Sequence, residues 1–414
     1  MRMRQVLLLR ALPGRHTMTD FCPSVPWVYL DNNATTPVDP RAVAAMLPFF
    51  REHFANPSSA HALGVASRDA VTAARRQVQS LLGAEFEKEI VFTSGGTESN
   101  NTAIVSALEV QQGRNEIVTS VVEHPSVLAV CDHLERSGRA VVHRIPVDQS
   151  GQLDRYAYRS ALNANTALVS IQWANNETGA QFPVKELAHE AHEAGALFHC
   201  DAVQAVGKVA IPAQSTQIDM LSISAHKMHG PKGVGALYLR SGVRLAPLLH
   251  GGKQERGRRA GTENTGAIVG FGVAADLANQ ALRYEMPRIA ALRDWLEEEM
   301  LRRVPGSIPI GNWNNRLPNT LNIAFEDVEA DSLLTLLDRA CIAVSSGSAC
   351  ASGSIEPSHV LRSMSVPFAY LRGAIRFSFS RENSEKDVAR VLDVLPQAVE
   401  DLRAAMVPLE AAYA

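Results

Sequence analysis

A lysine-containing loop between two apolar segments is the first place in the sequence where chemistry is expected. Residues 220–223 and 234–239 predict two short strands, and Lys227 and Lys232 lie in the polar turn between them. Ligands of open α/β sheets usually bind at strand ends. A lysine there, among hydroxyl and imidazole side chains, could form an imine with a carbonyl cofactor. The alternative is a solvated basic turn, and the residue types alone do not choose between the two lysines.

Two other predicted strands end in groups that suit a phosphate and a charged ring. Residues 90–101 are typical of a strand, a glycine turn and a helix start, where backbone N–H groups and the helix dipole attract phosphate. Gly96 lets the backbone approach a ligand and Thr97 adds a hydroxyl, although ordinary helix capping explains the same residues. Asp201 follows an apolar strand, where a buried carboxylate needs a partner. A protonated pyridine nitrogen would be one such partner, and a helix N-cap is the alternative.

Three further side chains are candidates for catalysis or substrate binding. Cys350 lies in a Ser- and Gly-rich loop, where a thiol is accessible for thiolate chemistry. The alternative is that Cys350 is buried, as free cysteines usually are. Burial is more plausible for Cys341, because that residue lies in an apolar stretch. Arg376 lies on a predicted strand, and its planar guanidinium suits an α-carboxylate. His124 follows another strand end, although a lone histidine is more often structural.

Together these segments resemble the cysteine desulfurases of the class V aminotransferase superfamily, which use pyridoxal 5'-phosphate. The matching motifs are LDNNATTP (30–37), NPSS (56–59), SGGTESNN (94–101), EHPS (123–126), NNETG (175–179), DAVQ (201–204), SAHKMHGPKG (224–233), GTEN (261–264) and SSGSAC (345–350). The cysteine motif is that of the first desulfurase group, and the segments after residue 325 look most like the nitrogen-fixation type. Residues 368–372 depart from the family pattern, so no role is carried over to Arg372.

The resemblance implies a role for each matching residue. Lys227 matches the lysine that binds the cofactor covalently, Cys350 matches the sulfur acceptor, and His124 matches an imidazole that assists proton transfer. Asn176 and Arg376 match the residues that bind the substrate carboxylate. The residues that match cofactor contacts are Gly96, Thr97, His124, Asn176, Asp201, Gln204, Ser224, His226, Lys227 and Thr262.

The implied activity is conversion of L-cysteine to L-alanine. The sulfur would pass to Cys350 as a persulfide and then to a sulfur-acceptor or iron–sulfur scaffold protein. Cys350 is also the metal-ligand candidate, as a transient iron–sulfur ligand. Thr262 matches a threonine that reaches the cofactor phosphate of the neighbouring subunit, which implies a homodimer. The alternatives are a selenocysteine lyase, another class V aminotransferase that would not need Cys350, and a non-enzymatic scaffold that docks sulfur carriers.

The composition agrees with an enzyme of this kind. The 414 residues carry a net charge of −3 and are 46% apolar, which is typical of a soluble globular protein and does not indicate binding to nucleic acid or an anionic membrane. No apolar run approaches the roughly 20 residues that cross a bilayer. The five cysteines form no C-x-x-C pair, so neither a disulfide framework nor a zinc site is predicted. Free thiols indicate a reducing compartment, and we expect the cytoplasm.

The elements that must position these residues alternate between strand and helix. The predicted strands of the first part of the chain are residues 89–93, 116–120, 140–145, 167–173, 197–200, 220–223 and 234–239. Before them, a helix is predicted to begin at Pro40 and to reach about Phe50. Helical stretches between the strands predict βαβ units and a mainly parallel seven-stranded sheet in an α/β fold. By resemblance this is the type I pyridoxal-phosphate fold with a smaller α+β domain. The expected divisions are a poorly ordered extension (1–26), a segment joining the small domain (27–45), a large cofactor domain (46–280) and a small domain with the cysteine loop (281–414).

Overall fold

The largest sheet has seven strands in the computed structural model, which describes residues 26–346 and 357–406. The strands of these residues, in chain order, are β1 (Val28–Tyr29), β2 (Ile90–Thr93), β3 (Glu116–Ser120), β4 (Val141–Ile145), β5 (Thr166–Ser170), β6 (Leu197–Asp201), β7 (Met220–Ser224), β8 (Gly235–Leu239), β9 (Ser307–Pro309), β10 (Thr320–Phe325), β11 (Ile342–Ala343), β12 (Ser345–Ser346) and β13 (Ala374–Ser378). The large sheet has the order β2-β8-β7-β6-β5-β3-β4. Neighbouring strands from β7 to β4 are parallel, whereas β8 is antiparallel to both β7 and β2.

Helices cover the sheet and connect its strands. In chain order they are α1 (Pro40–Met46), α2 (Pro48–Arg51), α3 (Ala62–Leu82), α4 (Gly96–Val110), α5 (Pro125–Arg136), α6 (Arg155–Ala161), α7 (Val184–Glu193), α8 (Thr265–Ala281), α9 (Glu285–Arg303), α10 (Ala330–Arg339), α11 (His359–Ser363), α12 (Phe368–Leu371) and α13 (Glu385–Met406). The strands β5, β7 and β8 are buried along their whole length. Strands of a sheet that is covered on both faces are mostly apolar, which explains why these strands were recognisable in the sequence.

The prediction of a mainly parallel seven-stranded α/β sheet is confirmed, and two element boundaries were wrong. The strand expected over residues 167–173 ends at Ser170, because the chain then leaves the sheet and Gln172 bonds the Glu123 side chain and the Val122 carbonyl. A single helix was expected from Pro40 to residue 50, but α1 ends at Met46 and α2 begins at Pro48. Proline lacks the N–H that would continue the first helix.

A second sheet packs beside the first and brings together distant parts of the chain. Its four strands are antiparallel in the order β12-β13-β10-β9. The early strand β1 pairs with β11, and Val28 and Leu30 lie in the same apolar core as residues of β10 and β13. The N-terminal segment therefore packs with the C-terminal part of the chain. The division at residues 26, 45 and 280 stays a prediction.

The cysteines of the described residues are buried. Cys131 and Cys200 are free. Cys341 is buried as expected. Across residues 26–346 and 357–406, no helix combines the length and the apolar character needed to cross a membrane.

Candidate active site

A cavity of about 260 Å³ lies at the carboxyl ends of the central parallel strands. Its lining residues come from both sheets and from the loops between them: Asn33, Ala34, Gly96, Thr97, Asn100, His124, Ser126, Gln172, Ala174, Asn176, Asp201, Val203, Gln204, Ser224, His226, Lys227 and Arg376. Carboxyl ends of adjacent parallel strands meet at one edge of a sheet, so residues far apart in the chain converge there.

One wall of the cavity is the N-terminus of α4. Among the described residues no side chain caps this helix, whose N-cap is Gly95 with φ 153°. Gly96 is the first helical residue, and a Cβ at this position would lie 2.7 Å from Val203 Cγ2. Thr97 and Ser224 add hydroxyl groups to the same cavity. A helix N-terminus with amides directed at a cavity is a site for an anion.

Asp201, at the end of β6, contributes a carboxylate to the cavity lining. Its side chain is 7% exposed, and Oδ2 accepts a hydrogen bond of 2.7 Å from Asn100 Nδ2. Oδ1 accepts a second one, of 3.0 Å, from the backbone N–H of Val203. Both partners donate to the carboxylate oxygens and hold the side chain in place.

His124 is connected to Asp201 through two polar side chains. The backbone N–H of Ser126 donates to His124 Nδ1 over 3.1 Å, and Ser126 Oγ lies 2.8 Å from the same nitrogen. Asn100 Nδ2 donates to Ser126 Oγ as well as to Asp201. Burial lowers the pKa of His124, so the neutral ring is favoured. Because Nδ1 accepts, the proton of the neutral ring lies on Nε2.

Glu123 lies next to His124 but is not part of the cavity lining. Its side chain is fully buried, and Oε1 accepts from Ser120 Oγ at 2.7 Å and from the Gln172 N–H at 3.0 Å. Burial raises the pKa of Glu123 to about 8. Glu123 is therefore largely uncharged at neutral pH and does not compete with Asp201 for a cation.

Lys227 is held by the backbone of the N-terminal segment. It ends the 3-10 turn Ala225–Lys227 that follows β7. Its Nζ donates to the carbonyl oxygens of Asn33 and Ala34, both at 2.7 Å. Gln204 Nε2 also donates to the Asn33 carbonyl, at 3.0 Å. The segment 33–34 therefore positions the lysine at the cavity.

Arg376 enters the cavity from β13 of the smaller sheet. Its side chain is 2% exposed; Nη2 donates to Asp31 Oδ1 at 2.7 Å, and Nη1 donates to the Asn176 carbonyl at 3.1 Å. Its Nε is buried and has no hydrogen-bond acceptor among the described residues. The guanidinium is thus fixed in orientation and retains capacity to bind an anion.

The cavity brings together most of the residues that were singled out from the sequence. Thr262 is exposed and is not among the described residues that line it. Cys350, the expected nucleophile and transient metal ligand, lies outside the described residues. Sequence reasoning missed Asn33, Asn100 and Lys208, which orient the others by hydrogen bonds. Asn33 and Asn100 lie within the motifs LDNNATTP and SGGTESNN, and Lys208 follows the motif DAVQ by four residues. These motifs were the signal that could have identified the three residues.

Comparisons with known proteins agree with this arrangement. The sequence pattern of the family described as Aminotransferase class-V matches residues 28–391. The chain is 62% identical to a protein named Cysteine desulfurase from Gluconacetobacter diazotrophicus, over 91% of this chain and 94% of that protein. It is 54% identical to Cysteine desulfurase NifS from Azotobacter vinelandii, over 91% of this chain and 93% of that protein.

Solved structures show the same similarity. A structure described as a NifS-like protein superposes with a TM-score of 0.85 and 36% identity, covering 91% of this chain and 100% of that one. Another, described as SspA in complex with cysteine, has a TM-score of 0.75 and 36% identity, covering 85% and 98% of the two chains. The chain belongs to the class-V aminotransferase family and has the fold of that family. Within it, the chain groups with the cysteine desulfurases, which depend on pyridoxal phosphate.

Proposed function

We propose that the protein is a pyridoxal-phosphate-dependent cysteine desulfurase that converts L-cysteine to L-alanine. The observation that carries this proposal is the 62% identity, over 91% of the chain, with a protein named Cysteine desulfurase. The similarity to a structure described as SspA in complex with cysteine supports the substrate. The cavity supports the proposal independently, because its chemistry suits both a phosphorylated cofactor and an amino acid.

The residues of the cavity fit pyridoxal phosphate. The uncapped amides at the start of α4, with the hydroxyls of Thr97 and Ser224, suit its phosphate group. The Asp201 carboxylate suits a protonated ring nitrogen, and Lys227 Nζ suits its aldehyde. Gln204 and His226 line the same cavity and would add contacts to the bound cofactor.

The bound cofactor would act as an electron sink that weakens the bonds at the α-carbon of an amino acid. Arg376 holds the substrate carboxylate through its guanidinium, and Asn176 lies beside it. Lys227 Nζ accepts the α-proton, and the neutral His124 assists proton transfer through Nε2.

The sulfur transfer requires an accessible thiol, and we propose Cys350. A bond forms between Cys350 Sγ and the substrate sulfur, and the substrate carbon–sulfur bond breaks. The electron pair left on carbon is then protonated to give alanine. The free cysteines of the described residues do not suit this role, because burial raises the pKa of Cys131 to about 12 and that of Cys200 well above its usual value.

We also propose a homodimer in which Thr262 contacts the cofactor phosphate of the other subunit. Thr262 is exposed in its own chain. The nearby side chains of Leu47, Phe50 and Phe54 are 57%, 62% and 71% exposed. Phe50 contacts the start of α8, because a Cβ at Gly266 would lie 3.0 Å from its ring. An exposed apolar surface beside this loop supports a contact between subunits.

The physiological setting that we propose follows from the relatives. The name NifS of the Azotobacter vinelandii relative supports sulfur supply for nitrogen-fixation iron–sulfur clusters, through a sulfur-acceptor or scaffold protein. Cys350 could serve there as a transient iron–sulfur ligand. A reducing compartment would keep its thiol reactive, which supports the cytoplasm.

The decisive experiment compares wild type with Cys350→Ala, with Cys131→Ala as a control that removes a buried thiol. The measurements are the visible absorbance of bound cofactor, then alanine and sulfide released from L-cysteine in the presence of a thiol reductant. We expect all three proteins to bind the cofactor, and wild type and Cys131→Ala to release alanine and sulfide. Cys350→Ala should release neither.

Other outcomes would point to the alternatives. Equal sulfide release by Cys350→Ala would show that Cys350 is not the nucleophile and would favour another class V reaction. Faster turnover of selenocysteine than of cysteine would favour a selenocysteine lyase. A wild-type protein that binds no cofactor would favour a docking scaffold.

A further inference from the structure

A second lysine is buried directly behind the cavity. Lys208 lies in the turn that follows β6 and contains Gln204, and it is 8% exposed. Its Nζ donates to Gln204 Oε1 at 2.8 Å and to Asn33 Oδ1 at 2.9 Å. Within the described part of the chain, its hydrogen-bond acceptors include no carboxylate. A lysine is rarely buried without a carboxylate partner, so this one needs an explanation.

The contact with Lys208 determines which end of the Gln204 amide faces the cavity. A lysine amine bonded to an amide can only be the donor here, so the atom that it contacts must be the amide oxygen. The other end of the amide, Nε2, donates to the Asn33 carbonyl at 3.0 Å. Both contacts specify the same orientation, and Gln204 therefore presents its N–H donors on the cavity side.

Asn33 joins this arrangement to Lys227. Its backbone carbonyl accepts from both Lys227 Nζ, at 2.7 Å, and Gln204 Nε2. Its side-chain oxygen accepts from Lys208 and, at 3.1 Å, from Asn319 Nδ2. The two lysines therefore hold opposite sides of one asparagine.

The charges around Lys208 are mostly positive. Burial lowers the pKa of Lys208 well below its usual value, and the nearby charges of Lys227 and Arg376 act in the same direction. Arg381 lines the small space of about 40 Å³ that Lys208 shares with Lys227. Burial of an ammonium group at this position costs free energy. An apolar residue such as methionine would fill the same space without that cost.

We propose that Lys208 is a positioning residue that holds the Gln204 amide with its N–H group toward the cofactor. The inference rests on the proposed function, because Gln204 matters in this way only if a cofactor with an acceptor oxygen binds in the cavity. Without Lys208, only the hydrogen bond from Nε2 to the Asn33 carbonyl opposes rotation of the amide, and that rotation would bring the amide oxygen to the cofactor side.

The test is a double-mutant cycle between Lys208→Met and Gln204→Ala, measured on the holoenzymes. The first measurement is the rate at which each protein loses bound pyridoxal phosphate. The second is the pH midpoint of the visible absorbance of the bound cofactor. Lys185→Met, which removes an exposed lysine, is the matched control and should behave as wild type.

We expect Lys208→Met to lose cofactor about 3- to 10-fold faster, as for the loss of one hydrogen bond, and to shift the pH midpoint by roughly half a unit. The double mutant should match Gln204→Ala within about twofold, because both changes remove the same contact. If the double mutant instead loses cofactor at a rate increased by the product of the two single-mutant factors, the proposal is refuted, and Lys208 acts by its charge or by packing.

Two further observations keep the proposal testable. If Lys208→Met does not fold, Lys208→Gln retains a donor and should behave more nearly like wild type; a holoenzyme as impaired as Gln204→Ala would again refute the proposal. Cofactor binding by wild type distinguishes a failure of the proposed function from a failure of the proposed role of Lys208. Its absence would contradict the proposed function, whereas normal binding with additive mutations contradicts only the role of Lys208.

Discussion

Replacement of Arg376 by lysine tests the substrate-binding role with little change in charge. The guanidinium is 2% exposed and is oriented by Asp31 Oδ1 at 2.7 Å and by the Asn176 carbonyl at 3.1 Å. Lysine keeps the positive charge beside Asp31 but offers one ammonium group instead of a planar fork. The variant therefore removes bidentate recognition of a carboxylate and leaves the ion pair with Asp31 available.

The size of the effect follows from the number of hydrogen bonds lost. A carboxylate bound by the fork receives two charge-assisted hydrogen bonds, and an ammonium group replaces about one of them. Hydrogen bonds to charged groups contribute about 1.5–3 kcal/mol each. We therefore expect kcat/KM for L-cysteine to fall roughly 10- to 150-fold in Arg376→Lys, mainly through KM.

The assay compares alanine formation from L-cysteine with turnover of cysteamine, which lacks the carboxylate. Arg376→Lys should process cysteamine as wild type does, because no carboxylate contact is lost. The control is Arg372→Lys: Arg372 is 48% exposed and pairs with Glu329 at 3.1 Å on the surface, so its kinetics should stay within about twofold of wild type. A KM for L-cysteine that changes less than about threefold in Arg376→Lys would refute the role of the guanidinium.

Three other variants test the cavity, a buried carboxyl group and a buried ion pair. Asp201→Asn should lower kcat about 100-fold or more at saturating cofactor, because a neutral amide lacks the negative charge that stabilises a protonated ring nitrogen; near-normal turnover would contradict that pairing. Burial raises the pKa of Glu177 from 4.5 to about 7, so the folded state binds this proton more tightly than the unfolded state and wild-type stability falls as pH rises through that window. Glu177→Gln has no such proton to lose. Its unfolding free energy, relative to that of wild type, should therefore rise between pH 4.5 and 7 by on the order of 2–3 kcal/mol. A difference that does not depend on pH would contradict the raised pKa of Glu177. Arg75→Met leaves Glu255, which Arg75 contacts at 2.7 Å, buried without its cation, and should cost about 3–5 kcal/mol in urea unfolding; a loss below about 1 kcal/mol would show that the site relaxes.

The sequence predicted the elements of the large sheet because their apolar segments are buried on both faces. Polar residues at the ends of those strands, such as Asp201 and Ser224, were recognisable for the same reason. Parallel strands bring their carboxyl ends together, so these residues were expected at one edge before any contact was known. The break between α1 and α2 was missed although Pro48 is visible in the sequence.

The contacts that orient these groups were not predictable in the same way. Lys227 is held by the carbonyls of Asn33 and Ala34, more than 190 residues earlier in the chain. Arg376 is oriented by Asp31, 345 residues away in the chain. No local pattern encodes such pairs, because each member is satisfied only by a partner that folding brings to it.

The chain by itself therefore determined which chemical groups are available and which strand or helix end carries each of them. Residue type, apolar patterning and turn residues are local properties, and they suffice for that assignment. The tertiary structure alone decided how the groups act together: it placed Arg376 of the smaller sheet in the cavity of the larger one and buried Lys208 against Gln204. Those outcomes depend on the packing of the two sheets, which only the folded chain specifies.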